Sequence, residues 1–313
     1  MAFDLIGDIH GCARSLADLL VKLGYVRRAG VYRHPERRVI FLGDFIDRGA
    51  GQREVIAIVR AMVDAGAALA VMGNHEYNAI AFATPRPDGA GFLRERSDKN
   101  LRQHLAFLSA YPPGSQDHAE LIEWFQRLPL WLDLDGLRVV HACWDREAIG
   151  LLERRLGSGG LLDMETLEAA GEQDSAEYGA IETILKGREI RLPEGYSFPD
   201  KEGTLRQHIR VRWWDAGIRT YRDAFLGPDS AVPHIPEAPI DAEYEFRYGR
   251  DEKPCFLGHY WLEGRPAPLA DNIACLDYSV ARPGGKLCAY RWDGEQVLDA
   301  ARFEWVSALD HRA

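Results

Sequence analysis

Three short stretches, GDIHG at 7–11, GDFIDRG at 43–49 and GNHE at 73–76, set acids, an amide and imidazoles directly behind glycines. Each follows an apolar run. Asp8, His10, Asp44 and Asn74 belong to these stretches, and two later histidines, His141 and His259, also end or follow apolar, strand-like runs. Two carboxylates, three imidazoles and an amide oxygen make a mixed donor set suited to two borderline divalent ions such as manganese, iron or zinc. Ions about 3.5–4 Å apart polarise a phosphoryl oxygen, activate water and balance charge on the entering and leaving oxygens. Hydrolysis of a phosphate ester is the chemistry such a set serves. His75, next in sequence to Asn74, should point elsewhere and can act as a general acid toward the leaving group. Asp47 can orient it, and Arg48 beside that acid offers a planar fork for phosphate oxygens.

Single signals of this kind have plainer readings. A lone Gly-Asp after a strand is commonly a turn or a helix cap, and a lone interior histidine is ordinarily a packed, hydrogen-bonded residue. Three motifs in order, followed by His141 and His259 at the ends of apolar runs, favour ligands. His34, His104, His118, His208, His234 and His311 lack that context and read as surface or packing residues, and RWW at 212–214 reads as core filling before a base-stacking platform.

The elements that must bring these residues together follow from hydrophobic periodicity. FDLI at 3–6 reads as a strand, and the next segment places Leu16, Leu19, Leu20 and Leu23 on one helical face ending at Gly24. The pattern repeats with a strand at 38–43 and a helix at 53–66, then a strand at 68–73 and a helix at 75–83. Such alternation predicts a layered α/β sheet, and ligands of such sheets sit at the carboxyl ends of the strands, where all three motifs fall. Glycines 7, 43 and 73 fit tight turns there. Residues 84–128 read as a helical excursion, and 130–142 as a hairpin turning at Asp135-Gly136. From 146 to 253 the pattern weakens and reads as an insertion. Strand signals return at 254–261 and 272–278, and a last hairpin is predicted to turn at Asp293-Gly294.

Composition sets outer bounds. The 313 residues suit one large α/β domain with insertions, and no stretch approaches the ~20 apolar residues of a membrane span, so a cytoplasmic setting is expected. Cys12, Cys143, Cys255, Cys275 and Cys288 form no CxxC pair and read as small core residues. A net charge of −10 argues against gripping duplex nucleic acid through many phosphates, and leaves a nucleotide or a phosphoprotein as partner.

GDIHG, GDFIDRG and GNHE, followed by VVHA and LGHY, resemble the signature of the calcineurin-like metallophosphoesterases. Within them the likeness is to the phosphoprotein phosphatase branch, which includes bacterial serine/threonine phosphatases and symmetrical diadenosine tetraphosphate hydrolases. It is dense over residues 3–83 and returns around 137–145 and 255–290. The resemblance implies an α/β/β/α fold, a β-sandwich flanked by helices, with two divalent ions, most naturally manganese, at the strand ends. It implies Asp8, His10 and Asp44 around the first ion, and Asp44, Asn74, His141 and His259 around the second, with Asp44 bridging. His75 with Asp47 would match the family's acid pair and Arg48 its phosphate arginine. A second phosphate arginine falls among Arg206, Arg210 and Arg212, with Arg210 or Arg212 favoured. Asp277 resembles a supporting position. HACW and GHYW depart from the usual HAG and GHT, which leaves the shape of the leaving-group pocket open. Phosphoserine or phosphothreonine is slightly favoured as substrate over a dinucleoside polyphosphate. A nucleic-acid end phosphatase or cyclic phosphodiesterase is a further reading, and a non-catalytic binding module is the competing class.

Overall fold

Alternation along the first strand sorts side chains into two cores. In Ala2–Ile6, Phe3 and Leu5 enter one apolar cluster while Ile6 enters the other. A computed structural model of the chain describes residues 2–157, 159–199, 204–215, 217–241, 244 and 248–308. The strands that matter for the site are β1 (Ala2–Ile6), β2 (Arg37–Phe41), β3 (Ala68–Ala70), β4 (Trp131–Asp133), β5 (Arg138–Val140), β6 (Cys255–Leu257), β7 (Ile273–Cys275), β8 (Asp277–Tyr278), β9 (Lys286–Trp292) and β10 (Phe303–Ser307).

β1, β2 and β3 run parallel, and β9 pairs antiparallel with β1, β8 and β10 to complete one sheet. The second sheet has the order β7-β6-β5-β4, with β5, β6 and β7 parallel. Leu5, Ile40, Val139, Phe256 and Tyr290 fill the space between the sheets. Cys255 and Leu257 flank Phe256 and face outward, into the cluster that holds Leu152 and Ile184. The helices α1 (Ala13–Lys22) and α2 (Gln52–Asp64) turn Leu16, Leu19, Leu20, Val55 and Val59 into that same cluster. Helices outside two facing sheets give the α/β/β/α architecture.

The predicted strands at 38–43 and 68–73 end early, at Phe41 and Ala70. Leu42 and Val71 still donate to the Ile6 and Phe41 carbonyls at 3.0 Å, and beyond them the two loops meet backbone to backbone. Gly43 has φ +91°, and a Cβ on it would lie 2.4 Å from the Gly73 nitrogen. The hairpin at 130–142 forms as expected, with the Leu134 N–H donating to the Leu137 carbonyl across Asp135-Gly136. The last hairpin differs. The chain turns after Trp292, but Glu295 accepts from the Asp293 N–H and the Tyr290 hydroxyl, and the return strand starts only at Phe303. All five cysteines are buried and none is in a disulfide among the described residues, where no helix is long and apolar enough to cross a membrane.

Asp4, on the helix-facing side of β1, is fully buried. It accepts from the Tyr25 hydroxyl at 3.0 Å, from Arg37 at 2.9 Å and from Arg291 at 3.2 Å, joining β1, β2 and β9. Removing one member of a buried ionic cluster leaves the others desolvated and uncompensated. Asp4→Ala should therefore lower the free energy of unfolding by about 3 kcal/mol in a denaturant titration with an unchanged slope. A loss below about 1 kcal/mol would show that the cluster does not tie the strands.

Candidate metal centre

The carboxyl ends of β1, β2 and β3 share one rim with those of β5 and β6. Asp8 and His10 follow β1, Asp44 follows β2, and Asn74 opens α3 (Asn74–Ala83) just beyond β3. His141 follows β5 directly, and His259 lies two residues past β6. The backbone is strained where these chains turn. His10, Asp44, Asp47, Arg48 and His259 have φ of 46°, 52°, 69°, 66° and 72°, a region that residues with a Cβ seldom occupy.

Hydrogen bonds over-determine those turns. The Ile9 and His10 N–H groups donate to the Asp44 carbonyl at 3.0 and 2.8 Å. Glu76, fully buried, takes the N–H groups of Gly73 and Asp44 on one oxygen and that of Phe45 on the other. One carboxylate thus locks the third motif to the second. Its sequence signal is its place at the third helical position, where an acid reaches back to the capping residue.

Six donors converge on the rim. His10 Nε2 lies 3.6 Å from Asp44 Oδ2 and 4.0 Å from Asp8 Oδ2. His141 Nε2 lies 3.4 Å from Asp44 Oδ2 and 3.1 Å from Asn74 Oδ1, which is 2.8 Å from His259 Nδ1. Spacings of this size are those of atoms sharing an ion at bonds near 2.0–2.2 Å. The Nδ1 atoms of His10 and His141 face the Ile46 and Leu42 carbonyls at 3.0 and 2.7 Å, which fixes the tautomer and turns the Nε2 lone pairs inward. Among the described residues Nε2 of His10, beside the Asp8 and Asp44 carboxylates, is buried with no hydrogen-bond partner. An unsatisfied ring nitrogen beside two buried carboxylates fits a cation.

The electrostatics agree. Burial, helped by His75, pulls His10 down to about 3, and burial with Arg210 and His141 holds His259 well below its ordinary range, so both stay neutral lone-pair donors. Burial opposes charge on His141, yet Asp44 outweighs it and raises that imidazole to about 10. Burial and then Asp277 push Asp8 well above the usual carboxylate range. Crowded carboxylates of this kind are relieved by a bound cation.

His75 faces the centre from the side, its Nε2 3.9 Å from Asp44 Oδ2, close enough to be counted among possible donors with His10 and Asp44. Its Nδ1 lies 2.6 Å from Asp47 Oδ2. Asp47 has a second partner that sequence reading did not supply. His104, read as a surface or packing residue, is buried on α4 (Asp98–Ala110) with Nδ1 2.8 Å from Asp47 Oδ1. The only sequence signal was an imidazole on the buried face that carries Phe107. Arg48 remains exposed at the mouth with its guanidinium carbon 3.8 Å from the centre of the Trp261 ring, and Arg282 lies 4.1 Å from the same ring. The GHYW stretch thus places an indole at the mouth. Asp277 is buried and accepts from the Trp261 and Ser279 N–H groups.

The two candidate clamps separate. Arg210 is half-buried and acts on His259, whereas Arg212 is exposed and acts on Asp223. Cys143 and Trp144 of HACW are buried, the first under the Ile184 carbonyl and the second beneath Arg138. Trp213 and Trp214 are also buried, Trp213 donating to the Ala142 carbonyl.

The sequence pattern of the family described as calcineurin-like phosphoesterase matches residues 1–163. The chain is 47% identical over 217 residues to the asymmetrical bis(5'-nucleosyl)-tetraphosphatase of Bacillus subtilis, covering 68% of this chain and 80% of that one. It is 26% identical over 314 residues to the symmetrical bis(5'-nucleosyl)-tetraphosphatase of Erwinia tasmaniensis, covering 95% and 96%. Of several further relatives described as the asymmetrical enzyme, it spans 61–63% of their length. A protein serine/threonine phosphatase from Saccharomyces cerevisiae shares the fold at 16% identity, with a TM-score of 0.52 over 99% of this chain and 81% of that one.

Glu76→Gln keeps the shape of the clamp but turns an amide NH2 toward a backbone N–H. The donor left facing a donor should cost about 1–3 kcal/mol in thermal or denaturant unfolding. Metal affinity, followed by calorimetry, should fall with it. Wild-type values for both would mean that the clamp does not hold the motifs together.

Proposed function

This chain belongs to the calcineurin-like phosphoesterase family, and we propose that it is a dimetal-dependent phosphohydrolase acting on a dinucleoside polyphosphate. The observation that carries the reading is Asp44 Oδ2, which faces two separate donor clusters, His10 with Asp8 on one side and His141 with Asn74 and His259 on the other. The family implies divalent ions. Asp8, His10 and Asp44 would hold one, and Asp44, Asn74, His141 and His259 a second, with manganese suited to the set and iron or zinc as alternatives. When bound, such ions supply Lewis-acid polarisation of phosphoryl oxygens and offset the charge that builds there.

The chain's own groups do the rest. Arg48, its guanidinium carbon over the Trp261 ring, presents its fork to the phosphate, and Arg210 supplies charge from the His259 side. His75 gives one ring position to Asp47 and keeps Nε2 toward the centre, from which a proton can pass to the leaving oxygen. Burial works against the imidazolium, but Asp44 and Asp47 outweigh it and raise the His75 pKa, which favours the acid form.

Sequence reading alone leaned slightly to phosphoserine and phosphothreonine. Relatives described as bis(5'-nucleosyl)-tetraphosphatases, one of them matched along nearly its whole length, favour the dinucleotide. A non-catalytic module should have lost a ligand or the His75–Asp47 pair, and all are kept. His104 of the 84–128 segment bonds to Asp47, and Arg210 of the 146–253 segment acts electrostatically on His259, which supports one domain with two site-shaping insertions.

In a manganese-supplemented assay, diadenosine tetraphosphate should be cleaved with higher kcat/KM than a phosphothreonine peptide, bis-p-nitrophenyl phosphate or p-nitrophenyl phosphate. The reverse order for the peptide would replace the substrate reading. Asp44→Asn should abolish turnover and weaken binding of both ions; near-normal activity would refute the shared carboxylate. Asp47→Asn removes a partner that raises the His75 pKa, so the alkaline limb of the pH–kcat profile should move to lower pH. An unmoved limb would argue against His75 as the acid.

A further inference from the structure

The cavity at the metal centre is large, about 1030 Å³, and it extends away from the ligands along α4. The chain as a whole carries a net charge of −10. Around this cavity the balance reverses, since among the described residues Arg48, Arg94, Arg102 and Lys186 line it against Asp44 as its one carboxylate. Lys186 is paired with Glu182. Arg48, Arg94 and Arg102 are engaged by no carboxylate ion pair among the described residues.

Arg94 is held in an unusual way. One terminal nitrogen donates to Asn78 Oδ1 at 2.9 Å, and the other to Asn100 Oδ1 at 2.9 Å and Gln103 Oε1 at 3.4 Å. Asn78 belongs to α3, and Asn100 and Gln103 to α4, so the guanidinium bridges the two helices that form this wall. Three neutral amides fix its plane, and Glu182 and Asp47 act on its charge only from a distance, without an ion pair. A half-buried guanidinium is costly to desolvate, and an acid is the partner that would normally offset it. Here the place an acid would take opens on the cavity. Arg102, exposed one turn along α4, lines the same wall.

We propose that Arg94 and Arg102 form a second anion subsite that takes the phosphates of a polyphosphate chain beyond the one being cleaved at the metal centre. The proposal rests on the dinucleoside polyphosphate reading and deepens it. A phosphopeptide offers one phosphate and leaves this wall unused, while a polyphosphate spans both.

The test uses inorganic tripolyphosphate and orthophosphate, titrated calorimetrically into the chelator-treated full chain. Wild type should bind tripolyphosphate more tightly than orthophosphate. Arg94→Gln should weaken tripolyphosphate about ten-fold or more, the size of a lost charge-assisted contact, and orthophosphate far less. Arg102→Gln, on an exposed site that cannot disturb folding, should weaken it by a smaller factor, and Arg94→Lys should recover part of the loss. With manganese, kcat/KM of Arg94→Gln should fall at least about ten-fold more for diadenosine tetraphosphate than for p-nitrophenyl phosphate. Tripolyphosphate bound no better than orthophosphate, or losses within two-fold in both variants, would overturn the subsite. If wild type ignores diadenosine tetraphosphate yet the variants lose tripolyphosphate, the substrate reading fails and the subsite stands.

Discussion

The structure turns on one buried carboxylate whose every polar atom has a separate duty. The Asp44 carbonyl takes two N–H groups of the first motif, its N–H goes to Glu76, and Oδ1 accepts from the His75 N–H at 2.9 Å. Only Oδ2 is left, and it faces His10, His141 and His75 at 3.6, 3.4 and 3.9 Å. Burial opposes its ionisation, yet His141 and His75 beside it hold the carboxyl well below the ordinary range. An ionised group in a dry interior is tolerated only when the surroundings are fixed around it. That requirement explains the positive φ angles, because the loops must turn sharply to aim three motifs at one oxygen.

The same requirement explains the sandwich. Parallel strands bring their carboxyl ends to one edge, and two sheets packed face to face bring two such edges together. Asp8, Asp44 and Asn74 come from one sheet and His141 and His259 from the other, so the centre exists only if both sheets form in register. Gly43 set against Gly73 lets the loops of neighbouring strands touch with no side chain between them.

How much of this could be read from the chain depends on whether a feature is local. Period-2 and period-3.6 apolar patterns are written along the backbone, and the strand and helix of each round fall where they point. Ligands at strand ends are local too. Partners reached across the fold are not. His104 pairs with Asp47 at a separation of 57 residues, and nothing near it in sequence distinguishes it from a packing histidine. Arg210 and Arg212 sit two apart in sequence and separate only in the fold, where Arg210 is half-buried and acts electrostatically on His259 while Arg212 is exposed and acts on Asp223. The late hairpin forms with a longer connection than the Asp293-Gly294 turn suggests, since Glu295 takes the Asp293 N–H and the Tyr290 hydroxyl and the return strand starts only at Phe303.

Charge distribution bears on selectivity more than total charge does. A protein of net charge −10 repels a long polyanion that must lie across its surface, since each added phosphate meets the same field. A short polyanion that fits inside a cavity of about 1030 Å³ escapes that penalty and meets Arg48, Arg94 and Arg102 instead. Low-dielectric walls strengthen those contacts, while the acidic exterior adds to the discrimination. On the proposed reading, net negative charge around a cationic cleft would favour nucleotides over nucleic acids by length. The same charge would also repel acidic phosphoproteins, whose charge surrounds the phosphate and cannot follow it into the cleft.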